Sequence, residues 1–296
     1  MATDQRAPRV PPDESGPRPL RSLLYMPASN PRAIEKAREL PCDAVILDLE
    51  DSVAPEAKAV ARSAAMQAAA AGFGARALAI RCNGLDTEWG AADLEALAAA
   101  APDAVLAPKV SSPAEVHAYD ARLAGAPANT RLWIMVESAQ GAARIEEITE
   151  TARATRLAGL VIGPNDLALE LQLRPSHARE ALRPILVRTL VAARAYGLMV
   201  FGGVFNAIDD EEGLKAECAE EAGFGFDGKT LIHPGQIAAA NAAFSPSPEE
   251  IAWARAVVAA FAAPEAAGKG AIRLDGRMVE RLHLKAAQRV IALAGA

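Results

Sequence analysis

Short apolar runs recur along this chain, and most of them stop abruptly at a charge. AVILDLEDS closes on Asp48, Glu50 and Asp51, ALAIRCNG on Arg81, AVLAPK on Lys109, LWIMVESAQG on Glu137, and GLVIGPNDLA on Asp166. The runs are apolar on both faces, as strands of a parallel sheet covered by helices must be. Segments 23–27, 44–49, 77–81, 104–108, 132–137, 159–163, 198–203 and, with a weaker pattern, 224–228 give eight predicted strands. Stretches 31–40, 56–71, 91–101, 113–124, 141–153, 177–196 and 209–221 lie between them at helical spacing, with Ser, Asp or Pro near the start and Gly near the end. Strand and helix alternating roughly every thirty residues predict an α/β fold, a (β/α)8 TIM barrel. An open doubly wound sheet is disfavoured, because no G-x-G-x-x-G or G-x-x-x-x-G-K-[ST] follows the early strands.

The barrel is expected over 21–245. Residues 1–20, rich in proline and without an apolar core, read as a disordered tail. From 246 to 296 the chain exceeds what eight β/α units need, which predicts a C-terminal helical extension. In it SPSPEEIAWARAVVAAFAA starts with an N-cap and an acidic first turn, GKGAIRLDG reads as a connector, and RMVERLHLKAAQRVIALA as a second helix. The extension is expected to pack on a neighbouring subunit or to cover the barrel mouth.

A net charge of −6 gives no general attraction to nucleic acid or to an anionic membrane. No apolar run reaches the roughly 18 residues of a membrane span. The three cysteines, Cys42, Cys82 and Cys218, share no metal-ligand spacing and read as buried reduced thiols. These features predict a soluble cytoplasmic protein.

In a barrel the chemistry belongs at the C-terminal strand ends, where the charges gather. Glu137 and Asp166 end consecutive strands, and two hard oxygen ligands with positions left for water and substrate suit Mg²⁺; the alternative is that each caps the following helix. Asp48 and Glu50 point to one side by alternation and need a cation or donors, either the metal's surroundings or Lys58 and Arg62 on the next helix. Arg81, followed by Asn83 and Gly84, suits bidentate capture of a carboxylate or a developing enolate oxygen, against a salt bridge to the preceding strand's acids. Lys109 reads as an anion-binding or ion-paired lysine rather than a Schiff-base nucleophile. His233, beside Pro234, reads as a hydrogen-bonded loop histidine more readily than as a catalytic acid.

Taken together these residues resemble the citrate lyase β-subunit-like, or HpcH/HpaI aldolase, family. The matching stretches are RSLLYMPASNPR (21–32), DAVILDLEDSVAPEAKAVAR (43–62), RCNG (81–84), APKV (107–110), VESAQG (136–141), GPNDLA (163–168), FGFDGKTLIHPGQI (224–237), NAAFSPS (241–247) and LDGRMVE (274–280). DTEWG (86–90) and His283 point to its malyl-CoA lyase and malyl-CoA thioesterase subgroup. The resemblance implies Mg²⁺ on Glu137 and Asp166, a substrate contact from Arg81, a coenzyme A thioester substrate, and a homotrimer or homohexamer. It also implies a carboxylate, here Glu280 where the family has Asp, reaching an adjacent subunit's site as acid/base. Asn83 and Lys109 are further candidates for substrate contact, and His283 for orienting Glu280.

The expected reaction is Mg²⁺-dependent cleavage of a malyl-, methylmalyl-, citramalyl- or citryl-CoA-like 3-hydroxyacyl thioester to a 2-oxo acid and an acyl-CoA. The alternative uses the same site for hydrolysis of (3S)-malyl-CoA, with Glu280 or an acid of the 48–51 cluster, Asp51 among them, activating water. A third possibility is a non-catalytic or carrier-protein-dependent subunit.

Overall fold

The structure, a computed structural model, describes residues 19–295; most of the expected N-terminal tail lies outside them. Leu20–Asn241 form one compact unit, and the residues from Ala242 onward belong to a second.

The first unit is a closed barrel of eight parallel strands in sequence order. Its first half runs β1 (Ser22–Pro27), α1 (Pro31–Ala37), β2 (Ala44–Asp48), α2 (Lys58–Ala71), β3 (Ala77–Arg81), α3 (Gly90–Ala100), β4 (Ala104–Ala107) and α4 (Pro113–Arg122). The second half runs β5 (Arg131–Val136), α5 (Ala139–Ala143), α6 (Ile145–Glu150), β6 (Leu157–Ile162), α7 (Pro164–Glu170), α8 (Ala178–Ala195), β7 (Met199–Gly202), α9 (Glu211–Phe224), β8 (Gly228–Leu231) and α10 (Ile237–Ala243). The expected (β/α)8 barrel is therefore present.

Alternation along the strands sorts side chains into an inner core and an outer layer under the helices. The inner core takes Leu23, Ala44, Ile46, Ala77, Ala79, Ala104, Leu106, Trp133, Met135, Val161 and Phe201. Four alanines there leave room for two large rings, and Trp133 and Phe201 meet at 5.0 Å between centroids. Gly159 is required opposite Trp133, since a Cβ would lie 2.8 Å from the indole. The axis below the C-terminal face is thus filled, as close packing demands.

Two sequence expectations need correction here. The eighth strand is Gly228–Leu231, not 224–228: Gly225, at φ +103°, terminates α9, and Phe226–Asp227 lead into the strand. Lys229 disguised it, because this lysine is completely buried on the outer face, paired with Glu217 at 2.7 Å and Glu221 at 3.1 Å. The expected helix at 141–153 is broken into α5, α6 and a short 3₁₀ turn at Thr151–Arg153.

The second unit contains α11 (Pro248–Ala262), β9 (Ala271–Leu274), β10 (Arg277–Glu280) and α12 (Arg281–Ala294). Ser247 caps α11 in a capping box with Glu250, as its sequence predicts. The Gly-rich connector instead forms one arm of an antiparallel hairpin, and the last helix starts at Arg281 rather than Arg277. Asp275 and Gly276, both at positive φ, make the tight turn between the two strands. Ala254, Val257, Val279 and Ala287 are the buried centre of this unit.

Candidate active site

A cavity of about 400 Å³ opens at the C-terminal ends of the strands. It is lined by Tyr25, Asp48, Asp51, Arg81, Met135, Glu137, Asn165, Asp166, Asn206 and Thr230, with Pro27, Ile162, Val204 and Ile232 among its apolar walls. Arg81, Asp51, Glu137 and Asp166, read from strand ends far apart in sequence, thus converge.

Strand register explains the charged rim. Pro27 pairs with Asp48, and Asp48 with Arg81, so the acid and the guanidinium are neighbours on adjacent strands. Arg81 Nε and Nη2 donate to the two Asp48 carboxylate oxygens, each at 2.7 Å. Arg81 forms the salt bridge to the preceding strand's acids, and Nη1 extends it beyond Asp48. Nη1 lies 2.9 Å from Glu50 Oε2, 3.3 Å from Asp51 Oδ2 and 3.6 Å from the Met135 sulfur. Burial would raise the Asp48 carboxyl, but its bonds and charge pairing with Arg81 hold it below the usual range. Tyr25 lies under the guanidinium, its ring centre 5.1 Å away, with its hydroxyl 3.9 Å from the Met135 sulfur.

The loop after β2 is tied down without using its carboxylates' partners on α2. Asp48 accepts the amides of Glu50 and Ser52. Lys58 donates to the carbonyls of Leu49 and Glu50 at 2.8 and 2.6 Å, not to a carboxylate, and Arg62 pairs with Asp93 at 2.6 Å. The expected pairing of the 48–51 acids with Lys58 or Arg62 is therefore replaced by Arg81 and Lys109.

Asn83 is tied to acceptors of the protein itself. Its amide is buried, donating to Leu49 O at 2.9 Å and Asp93 Oδ2 at 2.7 Å, so it braces the loop behind the cavity. The Lys109 ammonium is ion-paired, 2.7 Å from Glu50 Oε1 and 3.7 Å from Asp51 Oδ1.

Glu137 follows the inward-facing Trp133 and Met135 on β5, and Ser138 beside it caps α5 by accepting the Gly141 amide. One carboxylate oxygen, Oε1, accepts the Lys109 amide at 2.7 Å; the other, Oε2, is buried with no hydrogen-bond partner. Gly163 makes this possible, because a Cβ there would come within 2.6 Å of Oε2. Burial first, and then the charge of Glu50, pushes the Glu137 carboxyl up to about 7, with Asp166 adding to the effect. Asp166 occupies the first turn of α7, behind Gly163 and the helix-starting Pro164. Among the described residues no three His, Cys, Asp or Glu side chains form a closed metal cage. What the cavity offers is an unpartnered buried carboxylate oxygen, a second carboxylate, and an excess of acids over cations. That donor set fits a hard divalent cation with open positions.

Pattern reading missed Tyr25, Asn206 and Thr230, which carry no strand-end charge. Alternation in LLYMP would have placed Tyr25 inward with Leu23, and GKTL, read as a strand, would have placed Thr230. Nothing local marks Asn206, whose amide pairs with Asn165 at 2.7 Å across two loops. Outside the barrel unit, Glu280 occupies the N-cap position of α12, and its backbone N–H donates to His283 Nδ1 at 2.9 Å. His233 accepts the Gly235 amide, the loop role expected for it, and all three cysteines are free and buried.

A parallel eight-stranded barrel with acids, one guanidinium and a metal-ready carboxylate pair at its C-terminal mouth is the architecture of a metal-assisted barrel enzyme. The sequence narrows the class to a family. Residues 21–234 match the HpcH/HpaI aldolase/citrate lyase model, and the chain belongs to that family. It is 49% identical over 279 residues to a (3S)-malyl-CoA thioesterase of Cereibacter sphaeroides, covering 94% of this chain and 95% of the relative. It is 33% identical to an L-malyl-CoA/beta-methylmalyl-CoA lyase of the same species, covering 93% and 94%. Among solved structures, CitE of Mycobacterium tuberculosis in complex with magnesium, acetoacetate and coenzyme A aligns with a TM-score of 0.75 and 34% identity over 93% of this chain and 98% of that one. The chain is therefore an enzyme.

Proposed function

We propose that the cavity binds a malyl-CoA-type 3-hydroxyacyl thioester with Mg²⁺ on Glu137 and Asp166. In the leading reading it breaks the bond between the acyl α-carbon and the hydroxyl-bearing carbon, giving a 2-oxo acid and an acyl-CoA. The observation that carries it is the buried Glu137 Oε2 without a partner, in one cavity with Asp166 and Arg81. Mg²⁺, when bound there, supplies Lewis-acid polarisation of the substrate's hydroxyl and carboxylate oxygens. Arg81, clamped by Asp48 and lining the same cavity, stabilises the negative charge that develops on the thioester oxygen. Glu280 from a neighbouring subunit of a homotrimer or homohexamer exchanges the proton on the acyl α-carbon. The second unit is the part that carries this carboxylate across, and the enzyme works in the cytoplasm.

A second reading has a specific observation behind it: identity to the thioesterase is 49%, against 33% to the lyase, over nearly the same span. There the same complex is hydrolysed, with Glu280 or Asp51 activating water. The C–S bond breaks, and a hydroxy acid and coenzyme A leave. Purified protein incubated with Mg²⁺ and malyl-, citramalyl- or citryl-CoA, with products identified by mass, separates the two. A 2-oxo acid with an acyl-CoA supports cleavage, and the intact hydroxy acid with free coenzyme A supports hydrolysis. No turnover of any of the three refutes both.

A further inference from the structure

We propose that Lys109 is a positioning residue that orients Glu137 through its main chain, an inference that rests on the metal reading above. Four non-glycine residues among those described adopt positive φ, and Lys109, at +52°, is the one joined to the cavity's acids. L-residues with a Cβ adopt that conformation only where the surroundings hold them there. Here it turns the Lys109 amide toward β5, where it donates to Glu137 Oε1 at 2.7 Å. With Oε1 engaged and Gly163 leaving room beside Oε2, the carboxylate is fixed in the cavity wall with one oxygen buried and unpartnered. The Lys109 side chain is half exposed, and its ammonium holds Glu50 at 2.7 Å, which anchors the turn from its other end. The residue is thus a bracket between the β2 loop and the metal carboxylate, with the amide rather than the amine doing the orienting.

Three substitutions in the full-length protein separate main chain from side chain. K109N and K109G remove the ammonium but tolerate positive φ; K109V removes the same ammonium and disfavours that conformation. Loss of the positive charge changes the field at the carboxylates equally in all three, so their differences report the backbone. Titration calorimetry with Mg²⁺, repeated with Mn²⁺, should find K109N and K109G within about threefold of each other and K109V weaker than both by about tenfold or more. Circular dichroism checks folding; if K109V does not fold, K109A replaces it, with a smaller loss of the same sign expected. Equal affinities across the set overturn the main-chain role while leaving the metal site standing. A parent protein that binds neither cation overturns the metal reading, and this inference with it.

Discussion

Replacing Glu137 by Gln should stabilise the metal-free protein while destroying its response to Mg²⁺. The carboxyl is buried, 2% exposed, and is pushed from 4.5 to about 7 by burial and by the charge of Glu50. A folded-state value above the unfolded one means that the folded protein holds this proton more tightly. The contribution to stability is then complete below about pH 4.5 and is lost as pH rises to about 7. At about 1.36 kcal/mol per pH unit, the ionised carboxylate costs roughly 3 kcal/mol at pH 8 relative to its neutral form. Glutamine keeps the shape, and its Oε1 can still accept the Lys109 amide, but it has no charge to bury. In EDTA at pH 8 the variant should therefore melt roughly 6–12 °C above the parent, at about 2–4 °C per kcal/mol. At pH 4.5 the gap should close. Added Mg²⁺ should raise the parent's melting temperature at pH 8 and leave the variant's unchanged. Differential scanning calorimetry at the two pH values, with and without Mg²⁺, measures all four quantities. A variant no more stable than the parent at pH 8, or a gap of equal size at both pH values, refutes the reasoning.

Two further outcomes are expected. R81K should lower kcat by about 10²-fold or more with KM changed less than about threefold, because one ammonium cannot keep both Asp48 bonds and still face the cavity; steady-state kinetics on the best thioester decides, and an effect confined to KM would reassign Arg81 to ground-state binding. E280Q should abolish turnover with Mg²⁺ affinity intact, and mixing it with inactive D166N should restore part of the activity once subunit exchange is verified by mass spectrometry; failure to complement counts against the cross-subunit role.

Much of the site was legible because a barrel turns strand ends into neighbours. Once 44–49 and 77–81 are read as adjacent parallel strands, Asp48 and Arg81 have to meet, and Glu137 and Asp166 follow from the same rule. What stayed hidden depended on direction or distance. Asn83, two residues past Arg81, follows the strand's alternation only until the strand ends, after which Asp93 captures its amide. Lys229 fell outside the run read as the eighth strand, because its two glutamate partners lie on a helix whose packing no local pattern specifies. The hairpin at 271–280 was masked by a sequence that extends the helical spacing of α12 four residues upstream of its real start, over the strand Arg277–Glu280.

The Trp133–Phe201 plug makes the cavity a cul-de-sac, closed below by packed rings that meet at 5.0 Å. Traffic into a blind-ended chamber has to queue. In the proposed reaction the small acid sits deepest, against the carboxylates, while the coenzyme extends toward the doorway. The coenzyme fragment must then depart first and the small acid last. The last to leave is also the first able to return, so the acid should compete with the incoming thioester for the empty enzyme, and a rising pool of it would slow each new round at the threshold.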